Sequence, residues 1–408
     1  MIKEKLCQIV KSAAEDACKD GRLGGLKIGD LPPVLLEKPR LLSHGDLCCG
    51  LALKLGSQLK LSPLTIAETL ADYIELNKEL AGGHITLFEV ARPGFINFTL
   101  GSAWFGEIIS TIVRQGADYG KSQLGCGRRV LMRRSARARG PLTLTAHRAE
   151  VFSETLSNLF TFCGFAVDSR DTLNSQALDN TYDVTIEIHQ QAGNIPDAQP
   201  SAGLSEVFTA ETVSSGVLGV DDLLPELGSF VLRFYLAQAN CQAFQFDLDL
   251  ARQCHQRNAA FAVQYACARC GCLLRGAYEP GFNESGFEQA LIEAAHWPEL
   301  IGQWGRPEIF SVLFTASVNT HEQYQKDLIS MLEAFPELVR QSLYSRQPGR
   351  IAQYTADLAG LLDRYLASVN FYDDHLSVLK ARLGLIFAVK QVLTNALGII
   401  GLSAPEQM

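Results

Sequence analysis

The chain has 408 residues, is 47% hydrophobic, and carries a formal net charge of −8 with an isoelectric point near 5.6. That length accommodates two or three domains with a sizeable core, and the acidity argues against broad attachment to nucleic acid or membranes, which draws on a cationic surface. With no run of about 18 apolar residues, no export signal and eleven scattered cysteines, the expectation is a cytoplasmic protein without a membrane span, its thiols reduced.

Three compositional zones follow in order, predicting a multidomain chain, α/β and all-α. Residues 1–118 open with MIKEKLCQIVKSAAEDACKDG, charged within the periodicity of an amphipathic helix. SPLTIAETLADYIEL predicts a helix signalled by Ser62 and Pro63, with Leu64, Ala67, Leu70, Ala71 and Ile74 on one face. HITLFEVARPGFINFTL predicts two short strands about the turn Arg92-Pro93-Gly94, where Gly94 suits a positive φ. This zone reads as a small α+β domain.

In residues 119–245, VLM at 130–132 predicts a buried strand and HRAEVFSETLSNLFTFCGF a helix ending at Gly164. YDVTIEIH predicts a second strand, and the Pro-, Ser- and Gly-rich NIPDAQPSAGLSE a loop. Residues 246–408 are helical in pattern. In the last helix Leu385, Val389, Val392, Ala396 and Ile399 recur at spacings of four and three, while Asn395, Gly398 and Gly401 are read as loosening its end.

Four stretches together resemble arginyl-tRNA synthetase, a class I aminoacyl-tRNA synthetase. SHGDLCCGLALKLGSQLKLSPLTIAETLADYI and ARPGFINFTL resemble its amino-terminal domain, which contacts the tRNA elbow. GPLTLTAHR aligns with the family's Gly-Pro-Leu-His-Val-Gly-His signature. FQFDLDLARQ, AFAVQYACARCGCLLR and QVLTNALGIIGLSAPEQM resemble the carboxy-terminal helical domain that docks the anticodon stem. The resemblance implies an α+β domain at 1–118, a truncated Rossmann-like remnant at 119–245 and a DALR-type helical bundle at 246–408.

The signature itself is altered. In the family its two histidines stabilise charge on ATP phosphates and its glycine lets adenine approach the backbone. Here Thr143 and Ala146 stand in the histidine positions and Thr145 in the glycine position. One lost donor of this kind typically lowers a rate by about 10²–10³. His147 does not restore the site by a one-residue slip, because it points to another side of the helix start. The family's Lys-Met-Ser-Lys-Ser-like loop is also absent: before DDLL at 221–224 stands AETVSSGVLGV, with no lysine or arginine. The 72 residues from 149 through 220 leave room for little beyond two βα steps, since a βαβ unit takes roughly 30. The expectation is that half of the nucleotide crevice has been lost.

RRVLMRRSARARG and the following turn carry Arg128, Arg129, Arg133, Arg134, Arg137, Arg139 and Arg148 with no carboxylate between 128 and 148. This run reads either as an anion or acidic-partner site, its guanidiniums repelling one another when empty, or as a solvated loop. Cys267 and Cys270 in CARCGC share a helix face and are expected to pack as small hydrophobes rather than bind metal. Asp247 and Asp249 are expected to cap a helix. Gln264, Tyr265 and Arg269 match family positions on the anticodon-binding helix, where they either contact a base or are buried. Gly50, Asp363 and Gln407 replace an asparagine, a histidine and an arginine common in the family, departures that weaken tRNA contacts. The functional expectation is a non-catalytic relative that binds tRNA or another structured partner through its terminal domains, with a protein-interaction module without RNA binding, meeting an acidic partner surface, as one rival. An active arginine–tRNA ligase is the other, and ATP and arginine are expected as ligands only there.

Overall fold

The computed structural model describes residues 2–39, 44–76, 83–134, 143–170, 182–189, 204–209, 213–214, 220–239, 244–245, 247–275, 302–314, 320–369 and 376–407. The chain forms two compact units, one of Met1–Thr111 with Pro298–Ser317 and the other of Ile112–Trp297 with Val318–Met408. The parallel sheet of the middle of the chain and the carboxy-terminal helices fall within the same unit.

In the first unit, helix α1 (Ile2–Lys19) is followed by strands β1 (Leu36–Glu37) and β2 (Leu47–Cys49). Helices α2 (Leu51–Leu59) and α3 (Pro63–Leu76) precede the hairpin of β3 (Ile85–Ala91) and β4 (Phe95–Leu100). The strands form an antiparallel sheet in the order β1-β2-β4-β3. The hairpin turns where expected. Gly94 has φ +148°, and a Cβ there would lie 2.8 Å from Pro63, so glycine alone fits. The buried stripe of α3 is Ile66, Ala67, Leu70 and Ile74, turned slightly from the expected face, with Leu64 and Ala71 only half-buried. The following helix, α4 (Ser102–Gln115), buries Trp104, Phe105, Ile108 and Ile109, and Phe105 stacks on Phe314.

The second unit contains β5 (Arg129–Arg134), α5 (Leu144–Phe162), β6 (Ala166–Arg170), β7 (Val184–His189) and β8 (Leu204–Thr209). These strands form an all-parallel sheet in the order β6-β5-β7-β8. Two expectations are corrected here. The stretch read as a loop through Glu206 already belongs to β8 from Leu204. Strands also stand on both flanks of β5, where the loss of one half was expected. The chain leaves β5 for β6 on one flank and returns with β7 on the other, so a switch point lies between β5 and β7. Among the described residues the sheet is four strands wide.

Alternation along the strands places Val130, Met132, Val184, Ile186 and Ile188, all buried, on one face. Arg129, Leu131 and Arg133 lie on the opposite face. By register that face also holds Asp168, Arg170, Thr185 and Glu187. Parallel sheets usually bury both faces under helices; this one carries ion pairs on its second face.

A short parallel pair, β9 (Val213–Ser214) and β10 (Phe244–Gln245), brackets α6 (Val220–Gln238), which kinks at Gly228. Next come α7 (Leu248–Ala251), α8 (Ala259–Arg275), α9 (Thr320–Ser345), α10 (Gly349–Ser368) and α11 (Leu376–Ile400). Within α11, Ser377–Ile400 is long and apolar enough to cross a membrane by length and composition, a stretch the sequence reading passed over. Its most apolar window is 72% buried inside the protein, and Leu385, Val389, Val392 and Ala396 are fully enclosed.

Asn395 fastens this helix rather than loosening it. Its Nδ2 donates to the carbonyls of Gly116 and Tyr119, at 3.0 Å each. Tyr119 in turn donates its hydroxyl to Leu332 O at 2.8 Å, and its ring stacks on Phe335. The end of α11 is equally well held: Asn158 donates to Ile399 O and Arg233 to Ile400 O, after which Gly401 turns away with φ +77°.

Candidate functional site

Helix α5 begins at the point where the altered signature lies. Thr143 is the N-cap of α5, and its Oγ1 accepts from the backbone N–H of Ala146 at 3.2 Å. The hydroxyl standing in the first histidine position is thus engaged by the helix itself, a common role for threonine at an N-cap. Thr145 is half-buried and Ala146 buried. His147 turns to Glu150, with Nδ1 3.3 Å from Oε2.

The arginine run does not form one cluster of uncompensated charge. Arg133 meets Glu187 across the β5–β7 register at 3.0 Å, both side chains mostly enclosed. Arg129 pairs with Asp168 at 2.9 Å and lies 4.5 Å over the Tyr182 ring. Arg148 is 0% exposed and donates to Ala239 O at 3.0 Å, so it is a core residue and no partner contact. Arg134 is half-buried at the carboxyl end of β5. Arg137 and Arg139 lie outside the described residues. The compensating carboxylates come from β6 and β7, 39 and 54 residues away along the chain, which counting charge along one segment does not reveal.

A second candidate lies between α8 and α10. Asn258, 2% exposed, opens α8: its Oδ1 accepts from Ala260 N and Phe261 N, while Nδ2 donates to Ala251 O and Gln253 O. Tyr235 of α6 adds a hydroxyl bond to the same Oδ1 at 3.1 Å. Sequence reading missed this residue, although an asparagine directly before a helical run is a cap signal. Asp247 does for α7 what was expected, accepting from Leu250 N at 2.9 Å.

With α8 so anchored, Phe261 and Tyr265 stack one turn apart, their planes 7° from parallel. Arg269 lies a further turn along, 6.0 Å from the Tyr265 ring. Tyr265 is 38% exposed, so the surface position holds and burial does not. Arg269 also pairs with Asp363 of α10 at 3.0 Å, and Gln256 donates to the other carboxylate oxygen at 2.7 Å. Asp363 therefore neutralises Arg269 and does not stand as a lone carboxylate. Ala262 and Ala266 face Ala359 and Gly360, leaving a groove of about 270 Å³. Gln264 is half-buried and takes no part in lining it.

Behind the groove, Cys267 and Cys270 are fully buried. Burial pushes the Cys267 thiol up to about 12 and raises that of Cys270 as well, so both pack as neutral side chains.

Residues 263–408 match the model of the DALR anticodon binding domain, and residues 3–100 that of the arginyl tRNA synthetase N terminal domain. An arginine–tRNA ligase of Symbiobacterium thermophilum is 34% identical over 165 residues, covering 40% of this chain and 29% of that protein. One of Desulforamulus reducens is 23% identical over 586 aligned positions, covering 100% of this chain and 99% of the relative. Since the chain has 408 residues, at least 178 of those positions have no residue of this chain opposite them. Among solved structures, the arginyl-tRNA synthetase of Thermus thermophilus shares the fold with a TM-score of 0.61 at 13% identity, covering 99% of this chain and 100% of that one. With both terminal domains matched and the fold shared throughout, the chain belongs to the arginyl-tRNA synthetase family.

Proposed function

We propose that this chain is a truncated, non-catalytic member of its family that holds tRNA, or RNA folded like it, through its amino-terminal domain and its helical unit. The observation that carries the loss of catalysis is Thr143. Its hydroxyl serves as the N-cap acceptor of the Ala146 N–H and offers at most one neutral O–H in place of a histidine, and the Ala146 side chain has no donor. Two replaced histidines, a donor of this kind being worth about 10²–10³ in rate, leave little activation of an amino acid. The absent cationic loop before Asp221 and the shortened alignment point the same way.

RNA binding is supported by the exposed Tyr265 beside Arg269 in a unit that matches an anticodon binding domain. Two measurements test the reading. ATP–pyrophosphate exchange with arginine is expected to be undetectable. A rate of even a thousandth of an ordinary synthetase's, abolished by changing Thr143 and Thr145, restores the ligase alternative with ATP and arginine as its ligands. Filter binding to total tRNA at two salt concentrations is expected to show saturable, salt-dependent binding. Tyr265→Ala is expected to weaken it about tenfold, the usual scale for one lost base–aromatic contact. No binding at either salt favours the second reading, a protein-interaction module without RNA. The neutralised Arg269 and Arg133 are the observations that speak for it.

A further inference from the structure

The carboxyl end of α5 is ringed by cations. Gly164, with φ +84°, turns the chain out of the helix, and the loop before β5 wraps around that end. Ser122 N, Gly125 N and Gly127 N donate to the carbonyls of Phe162, Cys163 and Gly164. The wrap brings Lys121 to 6.0 Å from the Phe162 ring and Arg128 to 5.1 Å from that of Phe165. Just past the end of α9, Arg346 lies 4.9 Å over Phe160, whose ring meets Phe165 edge-on at 5.0 Å. Burial pushes the Cys163 thiol up while Ser122 and Arg340 lower it, so Arg340 of α9 stands by the same helix end. One turn on from Arg340, Tyr344 is 69% exposed. A helix carboxyl terminus favours nearby cations, and an aromatic face orients a cation without carrying an opposing full charge. Arg128 has no carboxylate partner among the described residues. Lys121 and Arg340 have theirs, Asp118 and Glu337, at exposed edges.

We propose that this face binds an acidic, partly apolar segment of a partner protein, away from the altered signature. The 19 residues of α5 span about 28 Å, with Thr143 at one end and the cations at the other. The face shares no lining residue with the groove between α8 and α10. Carboxylates suit it because a planar guanidinium can take one bidentately. Tyr344 offers a ring for apolar side chains to cover, and tyrosine and arginine are residues on which protein interfaces concentrate their energy. In a chain of net charge −8, a local gathering of cations also steers an acidic partner to this side. RNA fits less well. Its backbone repeats negative charge without a break, and here it meets Asp118 and Glu337, whose side chains are 75% and 48% exposed. A protein segment can set a polar or basic residue against those two carboxylates and its own acids against Arg128.

The probe is a fluorescein-labelled peptide of glutamates with interspersed leucines, titrated with the full chain by anisotropy beside the same peptide carrying glutamine for glutamate. Binding of the glutamate peptide alone, weakened by salt, is expected. Equal binding of both peptides, or of neither, overturns the proposal. Lys121→Glu combined with Arg128→Glu is expected to lower the affinity for the acidic peptide at least about tenfold, and Tyr344→Ala about fivefold, while tRNA binding stays within about twofold. Unchanged peptide affinity in the charge variant overturns the proposal, because the peptide then binds elsewhere. So does a loss of tRNA binding that equals or exceeds the loss for the peptide, since the face then serves RNA. The peptide arms decide the matter even if the native chain holds no tRNA. Arg128 also bonds the carbonyls of Leu124 and Gly125, so the native protein carries an arm of its own should the variant fail to fold. Bound peptide is expected to slow acetylation of Lys121, read by mass spectrometry, and to spare Lys60, exposed in the first unit. An equal rate at Lys121 with and without the peptide overturns the proposal.

Discussion

Arg148 shows most plainly what a charge count conceals. Along the sequence it is the last of seven arginines in a stretch without carboxylates. In the fold it is fully enclosed, because Leu144, Val151 and Phe152, its neighbours at helical spacing, are all buried. That spacing was legible and was outweighed by composition. Arg148→Ala is expected to destabilise the protein by about 2–4 kcal/mol in urea unfolding, through lost packing and an abandoned Ala239 carbonyl. Thr143→Ala is expected to cost about 1 kcal/mol as a lost N-cap, with Thr143→Ser close to neutral; equal melting temperatures for all three proteins refute the capping role. In the first unit, burial pushes the Glu107 carboxyl up, but bonds from Lys5 and His84 outweigh it and hold it below its ordinary value. A carboxylate depressed on folding stabilises above its unfolded value, and that contribution disappears as pH falls through the folded one. Stability should therefore drop on acidification below about pH 4.5 less steeply in Glu107→Gln than in the native chain, as thermal melts across that range can measure.

At the scale of elements, periodicity located β5, α5, β7 and α11 because each carries its own apolar pattern. It missed the start of β8, where proline and glycine just upstream extended the loop reading over Leu204, Ser205 and Glu206. Strand order was not legible, since nothing local to β6 or β7 states which flank of β5 it takes. For the same reason the groove was half visible: Tyr265 and Arg269 could be named, but not that Arg269 and Gln256 both bond Asp363. The end of α11 is a further case. Gly398 and Gly401 suggested fraying, yet Gly401 is required, with φ +77° and Arg233 Nη2 only 2.3 Å from where a Cβ would sit. Arg233 cannot swing aside freely, because it also bonds Ile400 O and pairs with Glu154 at 2.8 Å. Gly401→Ala is expected to lower stability by about 1–3 kcal/mol, from backbone strain together with displacement of that guanidinium. An unchanged urea midpoint would show that the helix end has room to relax.

For the whole molecule, burial separates the most exposed of the described thiols from the fully enclosed ones. Cys126 and Cys254 are exposed, whereas Cys49, Cys163, Cys267 and Cys270 are enclosed. Burial also pushes the thiol of Cys49 up to about 11, and the thiolate is the reactive form. Thiol titration with an aromatic disulfide is expected to modify Cys126 and Cys254 rapidly and these four only on unfolding. Rapid loss of Cys267 or Cys270 in peptide mapping would show that the bundle opens under native conditions.

The clasp between Asn395 and the carbonyls of Gly116 and Tyr119 has a bearing on how the protein is made. Asn395 follows Tyr119 by 276 residues. At about 5–20 residues per second, the segment around Tyr119 emerges from the ribosome roughly 15–55 s before the residue that secures it. Tyr119 must wait similarly for Leu332, 213 residues later. During that interval the buried polar groups of this segment have water, or a chaperone, in place of their eventual partners. A nascent chain arrested before residue 395 should therefore be cut near Tyr119 by protease, and one released at full length should resist.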